Sequence, residues 1–502
     1  MSFPNIPKFR HSIIPTLAVL LLGLLVAQVI ATAQVYFSNA HLHRSLLTLK
    51  EAGYLIVPNQ QILPRLVSFQ SALWGGLFFT LSVGVLLTFL SWSAAWAWNR
   101  LFRRNRLFLY FCLLAWLTSL ALINGQGFCV LITMYFLLVP AAVFTAAAKF
   151  LDQGKASHDS GGLLLLVPLL VLVLLWATQV NSRFFLTLRD KFLLSSTLGT
   201  KVSDFYYDYA YYPAEVFKSL DQKLLKSCSI GSVQRKPIEQ ALERTLLAYD
   251  YLPVDEDHRA ADLVVHEDSG LLSFQHKGKT ILQTSLQGFL SSPGKLLEDF
   301  SRKSDTCSPF RSFTLFSLLV SLPLGLYALC FGLIYLVLSL VLPSRFSAWV
   351  ASVFCLLMGT ALLFYIHGSI KEKSMDPGRA LTSDHWETRV AALRFIDQKK
   401  LDVGDFEAYP SLMKTPYVAE RYWFVRALGS SRRTSTYRDL LAFLDDPNRG
   451  VVSMAFYALG QRRDSRAVPE ILKRIETSDD WYNQWYAYRA LRNLGWKQSR
   501  SR

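Results

Sequence analysis

The sequence predicts a mainly α protein in three parts: a polytopic α-helical membrane body, a small α+β extramembrane domain and a C-terminal α-solenoid. Three observations carry this. The 502-residue chain is 52% hydrophobic, with a mean hydropathy of +0.26, too apolar for an ordinary soluble protein. Its apolar residues fall in long runs free of Asp, Glu, Lys and Arg. The last quarter of the chain writes one pattern four times.

A helix needs about 20 apolar residues to cross ~30 Å of hydrocarbon. Such runs lie at about 13–37, 69–98, 107–123, 128–148 and 161–179, giving a membrane domain over residues 1–179. Two more, at about 313–342 and 346–367, lie within residues 312–368. Asn124-Gly125-Gln126-Gly127 predicts a tight hairpin between the third and fourth runs. Pro323 is expected to separate an interfacial first part of the sixth from its crossing part. Ala31-Thr32-Ala33, behind Lys8, Arg10 and an apolar stretch, also fits a signal-peptidase site.

Lys and Arg mark the cytoplasmic ends of spans. Lys8, Arg10, Arg100, Arg103, Arg104, Arg106, Lys149, Lys155 and Arg345 fall on one side, whereas the first loop offers Arg44, Lys50 and Arg65. The expectation is a multi-pass inner-membrane protein of bacterial type. Its N-terminus is cytoplasmic, residues 180–311 lie outside, and by parity the repeats share their side. Lys371, Lys373 and Arg379, after the last run, argue instead for a cytoplasmic tail. The net charge of +16 is concentrated in short loops, where it orients the chain and meets lipid headgroups. The lipid bilayer is therefore an expected partner and nucleic acid is not.

Residues 180–311 mix helical and strand patterns. Phe192–Tyr212 is expected to be helical, Pro213 to start a second helix with Val216, Leu220 and Leu224 on one face, and Glu239–Tyr249 to form a third. Further on, Asp268-Ser269-Gly270 and Lys277-Gly278-Lys279 are turn signals between apolar runs, predicting a meander of two or three strands. Asp204 and Asp208 are four apart, so a helix points both carboxylates the same way beside Tyr207 and Tyr211. They are candidates for a polar-ligand or acid/base site. The plainer reading is an amphipathic helix at the membrane surface, where Tyr is at home. Cys228 and Cys307 are the only cysteines outside the apolar runs and the candidate disulfide of an oxidising compartment. His258 and His266 stand among carboxylates without metal-site spacing, so no metal is expected.

The four copies are DHWETRVAALRF from Asp384, YVAERYWFVRALG from Tyr417, NRGVVSMAFYALG from Asn448 and DWYNQWYAYRALRNLG from Asp480. The pairs Ala392-Leu393, Ala427-Leu428, Ala458-Leu459 and Ala490-Leu491 recur every 31 to 35 residues or roughly so, the range of helical solenoids. Each copy is expected to form one helix hairpin. In the third, Asp445, Asp446 and Pro447 signal a helix start, and Val451, Val452, Ala455 and Leu459 share a face. Gly460 signals the end, and Pro469 opens a second helix with Ile471, Leu472 and Ile475 on its apolar side. These residues resemble HEAT repeats, specifically the short type named after phycobilisome lyases, over residues 381–496. The resemblance implies four stacked hairpins that present a surface to a partner, and it says little about activity.

Tyr422, Trp481, Tyr482, Tyr486 and Trp496 exceed what a narrow solenoid core needs, and Tyr and Trp are interface anchors. They are the candidate contacts for a protein partner or a glycan, with Trp423 and Trp485 as the expected core tryptophans. The basic excess of the repeats suits an acidic partner. HExxH, GxSxG, paired CxxC and phosphate-binding glycine motifs are missing, and the apolar runs lack the ionisable groups of ion-coupled transporters. No cofactor is expected. The leading reading is a non-catalytic membrane scaffold whose repeats dock a component of an envelope complex. The alternative is a membrane enzyme or translocation component acting on a lipid-linked or polymeric envelope substrate through Asp204 and Asp208.

Overall fold

The computed structural model describes residues 7–152, 161–177, 182–216, 218–231, 236–254, 261–268, 270–367 and 376–500. The protein is mostly helical (74%) with a small sheet. Helix α1 (Pro7–Glu51) has 45 residues, a length of about 65 Å, roughly twice the thickness of a bilayer's hydrocarbon core. After the short α2 (Leu63–Leu66), α3 (Phe69–Phe79) passes through a π turn at Thr80–Gly84 into α4 (Val85–Arg100). α5 (Arg106–Ile123), α6 (Val130–Asp152) and α7 (Gly161–Ala177) follow. Ser68 and Asn105 start α3 and α5 by accepting hydrogen bonds from the backbone N–H groups of Ser71 and Leu107. The Asn124 side chain closes the α5–α6 turn, donating to the Leu120 carbonyl at 2.9 Å and accepting from the Thr133 hydroxyl at 2.8 Å.

Among the described residues, six helical stretches are long and apolar enough to cross a membrane. The run read at 161–179 falls on α7, whose 17 residues make it shorter than these, and residues 178 and 179 lie outside the described part. Helix α1 is the centre of the bundle: Ala27, Ala31 and Val35 pack with Ala72, Val83, Phe136 and Val139. A Cβ at Gly76 would lie 2.8 Å from the Thr32 backbone nitrogen, so α1 and α3 meet backbone to backbone. Ala31-Thr32-Ala33 is thus a helix-packing contact. Gln28, a polar side chain in an apolar run, donates to the Leu73 carbonyl at 2.8 Å.

Beyond α7, α8 (Ser182–Leu188) leads through a π turn at Arg189–Leu193 to α9 (Thr197–Val216). Helix α9 runs through Pro213, which therefore does not start a second helix, and Leu220 falls in a single 3-10 turn before a strand. The sheet has the order β2-β1-β3-β4-β5. Its strands are β1 (Lys226–Ile230), β2 (Tyr251–Pro253), β3 (Leu263–Asp268), β4 (Leu271–His276) and β5 (Lys279–Ser285), with α10 (Lys236–Ala248) between β1 and β2. β3, β4 and β5 are the expected antiparallel meander, with Gly270 at φ 80 and Gly278 at φ 76 supplying its turns. β1 runs parallel to β2 and β3 and was not foreseen. KSCSI and YLP are short and almost wholly buried, so neither shows the alternation that betrays a half-exposed strand.

Helices α11 (Leu286–Ser291) and α12 (Pro293–Ser304) close the domain, with Phe274, Phe289 and Phe300 around Cys228 in its core. Cys228 and Cys307 are both free. The expected disulfide does not form because the two belong to different cores: Cys307 packs beside Phe310 and Cys129 against the bundle. α13 (Ser308–Ser339) continues unbroken through Pro323, contrary to the expected division. Near it, Ser321 donates to the Ser82 carbonyl in the π turn at 2.8 Å, taking up a group which irregular backbone leaves available. α14 (Ser344–His367) packs on α7, where Trp176 donates to the Gly359 carbonyl at 3.3 Å.

The repeat region opens with α15 (Pro377–Leu381) and α16 (Trp386–Lys399), then the single turn α17 (Tyr409–Leu412). α18 (Val418–Leu428) with α19 (Thr434–Ala442), and α20 (Arg449–Arg462) with α21 (Val468–Thr477), form two full hairpins. Among the described residues no second helix follows α22 (Trp481–Asn493). Four hairpins were expected; among the described residues the fourth shows one helix, and the second helix of the first is reduced to one turn. All four Ala-Leu pairs are buried. Gly460 does not end α20, which runs on to Arg462 and a left-handed Arg463. Instead Gly460 lets the next repeat approach, for a Cβ there would lie 2.9 Å from Ala490 Cα, and Gly429 faces Ala458 Cα at 3.1 Å in the same way.

Candidate functional site: the seam between the repeats and the rest of the chain

The π turn after α8 places Asp190 inside the repeats, 2% exposed. One carboxylate oxygen accepts from the Arg189 guanidinium at 2.7 and 2.9 Å; the other accepts from Arg394 at 2.6 Å and from the Trp423 indole at 2.5 Å. Arg189 donates also to the Tyr422 hydroxyl at 2.9 Å and lies over that ring at 4.2 Å. A charge this deep is tolerated only when paired and fully hydrogen-bonded. Here the pairing crosses from the α8 segment to α16 and α18.

About two turns into α9 comes a second contact. Asp204 and Asp208 share a helix side, as their spacing predicted, and both engage Arg449 at the start of α20. Asp480, which caps α22, pairs with the same guanidinium at 3.2 Å. Burial holds the Asp480 carboxyl above its ordinary range, against the pull of Arg449. Between these carboxylates Tyr207 packs on Tyr482 with ring centroids 4.3 Å apart and the rings tilted by 31°, and the Tyr482 hydroxyl donates to that of Tyr486 at 3.3 Å. Burial pushes the Tyr207 phenol up to about 12 and raises Tyr482 further. On its other side α9 lies against α3, through Phe205 and Tyr209 on Trp74.

The first loop makes a third contact. Asn59, 6% exposed, donates its side-chain amide to the carbonyls of Ile475, Glu476 and Ser478 at 2.8, 3.0 and 2.9 Å, and its backbone N–H to the Gln484 side chain at 2.8 Å. Gln498, in the chain after α22, mimics a strand partner for Leu55, donating to its carbonyl at 2.8 Å and accepting from its N–H at 3.2 Å. Leu46, Leu49, Tyr54, Ile56, Ile62 and Leu66 join one continuous core with the repeats. A fourth contact reaches the α+β domain, where Asp250 accepts from the Tyr488 hydroxyl at 2.6 Å and pairs with Arg492 at 3.2 Å.

The aromatic residues read as partner contacts divide along this seam. Tyr422 and Tyr482 face the α8–α9 segment of their own chain, Tyr486 is hydrogen-bonded to Tyr482 behind them, Trp481 is buried at the start of α22, and Trp496 packs edge-on to Tyr488 at 6.1 Å. Asp204 and Asp208 face a guanidinium. Among the described residues no group of three His, Cys, Asp or Glu is placed to hold a metal ion, and His258 lies outside them. Sequence reasoning passed over Asp190, Arg394, Asn59 and Asp250. The signal for Asp190 was an Arg-Asp pair directly behind an apolar run; the other three carry none.

A family model described as HEAT repeats matches residues 407–492, the stretch from just before α17 through α22. No curated protein and no solved structure matches the chain. The C-terminal part is therefore a HEAT-repeat module, and HEAT repeats are generally protein-interaction modules.

Proposed function

We propose that the protein is a non-catalytic integral membrane scaffold, multi-pass in a bacterial-type inner membrane, whose HEAT module docks a partner protein of an envelope complex. The seam carries this reading. A module bound at four places to loop 52–68, α8–α9 and the α+β domain is held at fixed height and orientation, which is what a platform needs. These contacts favour one side of the bilayer for all of these parts, and the sparse positive charge of the first loop favours the outer side.

With Tyr422, Tyr482 and Tyr486 covered by the chain itself, the partner binds elsewhere on the module. Arg432, Arg438, Arg463, Arg466 and Lys473 are exposed on the second-helix side, and this basic surface suits an acidic protein. Photo-crosslinkers at Arg438 and Lys473 in intact cells should give a discrete adduct with one protein, and those at Tyr422 and Tyr486 should give none. Silence at the outer positions, or turnover of a lipid-linked substrate by the purified protein, would overturn the proposal. Sidedness has its own check: an impermeant thiol reagent should label Lys473→Cys and Lys277→Cys alike in spheroplasts.

A further inference from the structure

Where bundle, α+β domain and last repeat meet, a cavity of about 690 Å³ is lined by two kinds of residue. Phe78 and Phe79 of α3 and Leu315 of α13 are apolar, and Leu315 is 64% exposed on the flank of the bundle. Lys218, Lys223, Lys226, Arg311, Arg489 and Arg492 are cationic, against only two carboxylates, Asp221 and Asp250. Part of this charge is committed: Lys223 pairs with Asp262 at 3.0 Å, Arg492 with Asp250 at 3.2 Å, and Arg311 with Asp305.

Three donors are not. Lys226 is 7% exposed, and among the described residues its ammonium makes no hydrogen bond or ion pair, standing 4.7 Å from the centre of the Tyr251 ring. Arg489 lies over the Trp485 ring at 4.5 Å and has no other charge-satisfying contact among the described residues. The indole N–H of that same Trp485 is buried without a hydrogen-bond partner. Buried donors such as the Lys226 ammonium and the Trp485 N–H are costly unless an acceptor meets them, and the exposed Arg489 adds a second positive charge beside them.

We propose that this cavity binds an anionic amphiphile, with a phosphate-type head group between Lys226, Arg489 and Trp485 and its hydrocarbon chain along Phe78, Phe79 and Leu315. A neutral lipid gives the Lys226 ammonium no anion at hydrogen-bond distance, Asp250, Asp262 and Asp221 acting on it only from farther off, and a free anion leaves the apolar lining unused. The burial that lowers the Lys226 pKa is offset once a phosphate stands beside it. The site does not depend on what the outer face of the module docks.

The test uses the full chain purified in a neutral detergent and titrated with phosphatidylglycerol, phosphatidylcholine or inorganic phosphate, with bound lipid counted by native mass spectrometry. Phosphatidylglycerol should bind at least about tenfold more tightly than phosphatidylcholine, the worth of one charge-assisted contact. Lys226→Met and Arg489→Ala should each remove that preference, while Arg103→Ala, on another loop, should leave it intact. Arg489 is exposed, so its variant folds whether or not the buried one does. Equal binding of both lipids, or a preference that survives Arg489→Ala, would overturn the proposal. Inorganic phosphate competing at the affinity of phosphatidylglycerol would overturn the amphiphile and leave a soluble-anion site.

Discussion

Asp190 and the Asp204–Asp208 pair tie the same stretch of chain to the repeats, yet water reaches them very differently. The Asp190 side chain is 2% exposed and its partner Arg394 11%, whereas Asp204 and Asp208 are 43% and 48% exposed around Arg449. A buried pair has its desolvation cost fixed by the fold, so deleting one member strands the other. An exposed pair is screened, and deleting one member exchanges an ion pair for water. The first contact therefore holds the module in place, and the second orients it.

The largest expected effect follows from this. Asp190→Ala removes the buried carboxylate that Arg189, Arg394 and Trp423 share and should weaken the seam by about 3 to 5 kcal/mol, read as loss of hydrogen-exchange protection in α16 and α18. If instead it costs no more than Asp208→Ala, burial does not separate the two sites. Next in size is a change inside the module. Gly460→Val should destabilise the α20–α22 stack by about 1 to 3 kcal/mol, because Ala490 Cα leaves no room for a side chain there. Chemical unfolding measures it, and α22 should lose protection before α16.

Asp208→Ala should cost only about 0.5 kcal/mol and fade in high salt. A double-mutant cycle with Arg449→Ala isolates the pair, and a coupling that persists in high salt would place it with Asp190.

Lys226 sharpens the comparison from the opposite side, as a buried charge with no ion pair among the described residues. Burial lowers its folded-state pKa below the ordinary 10.5. Below that folded value both states are protonated and the penalty is complete. Between it and 10.5 the unfolded chain binds more protons, so stability from this group rises with pH. Lys226→Met should therefore raise the melting temperature near neutral pH and flatten the alkaline rise that ends near pH 10.5 in thermal melts. A variant that melts lower at neutral pH would show that the ammonium is compensated after all.

How much of this was legible differs by region. Apolar runs and the Ala-Leu period are local patterns, so the long helices and the repeat stack could be read directly, as could the Asp204–Asp208 register on α9. The strands β1 and β2 could not, since strands buried on both faces lose their alternation. Cys228 and Cys307 misled because their pairing was argued by elimination, and elimination is blind to which core a residue enters. The aromatic set on α18 and α22 was expected to meet a partner, whereas Tyr422 and Tyr482 meet Arg189 and Tyr207 of the α8–α9 segment, more than two hundred residues earlier in the chain.

The sequence by itself determined which segments are helices and which of their faces are apolar or small, because those follow from spacing along one strand of chain. Only the tertiary structure decided that the aromatic face of the repeats is closed by the chain's own α8–α9 segment, and that Asp190, Asn59 and Asp250 hold it there. Contacts of that kind depend on where distant segments meet in space, and the penalty for burying Asp190 alone makes the meeting specific.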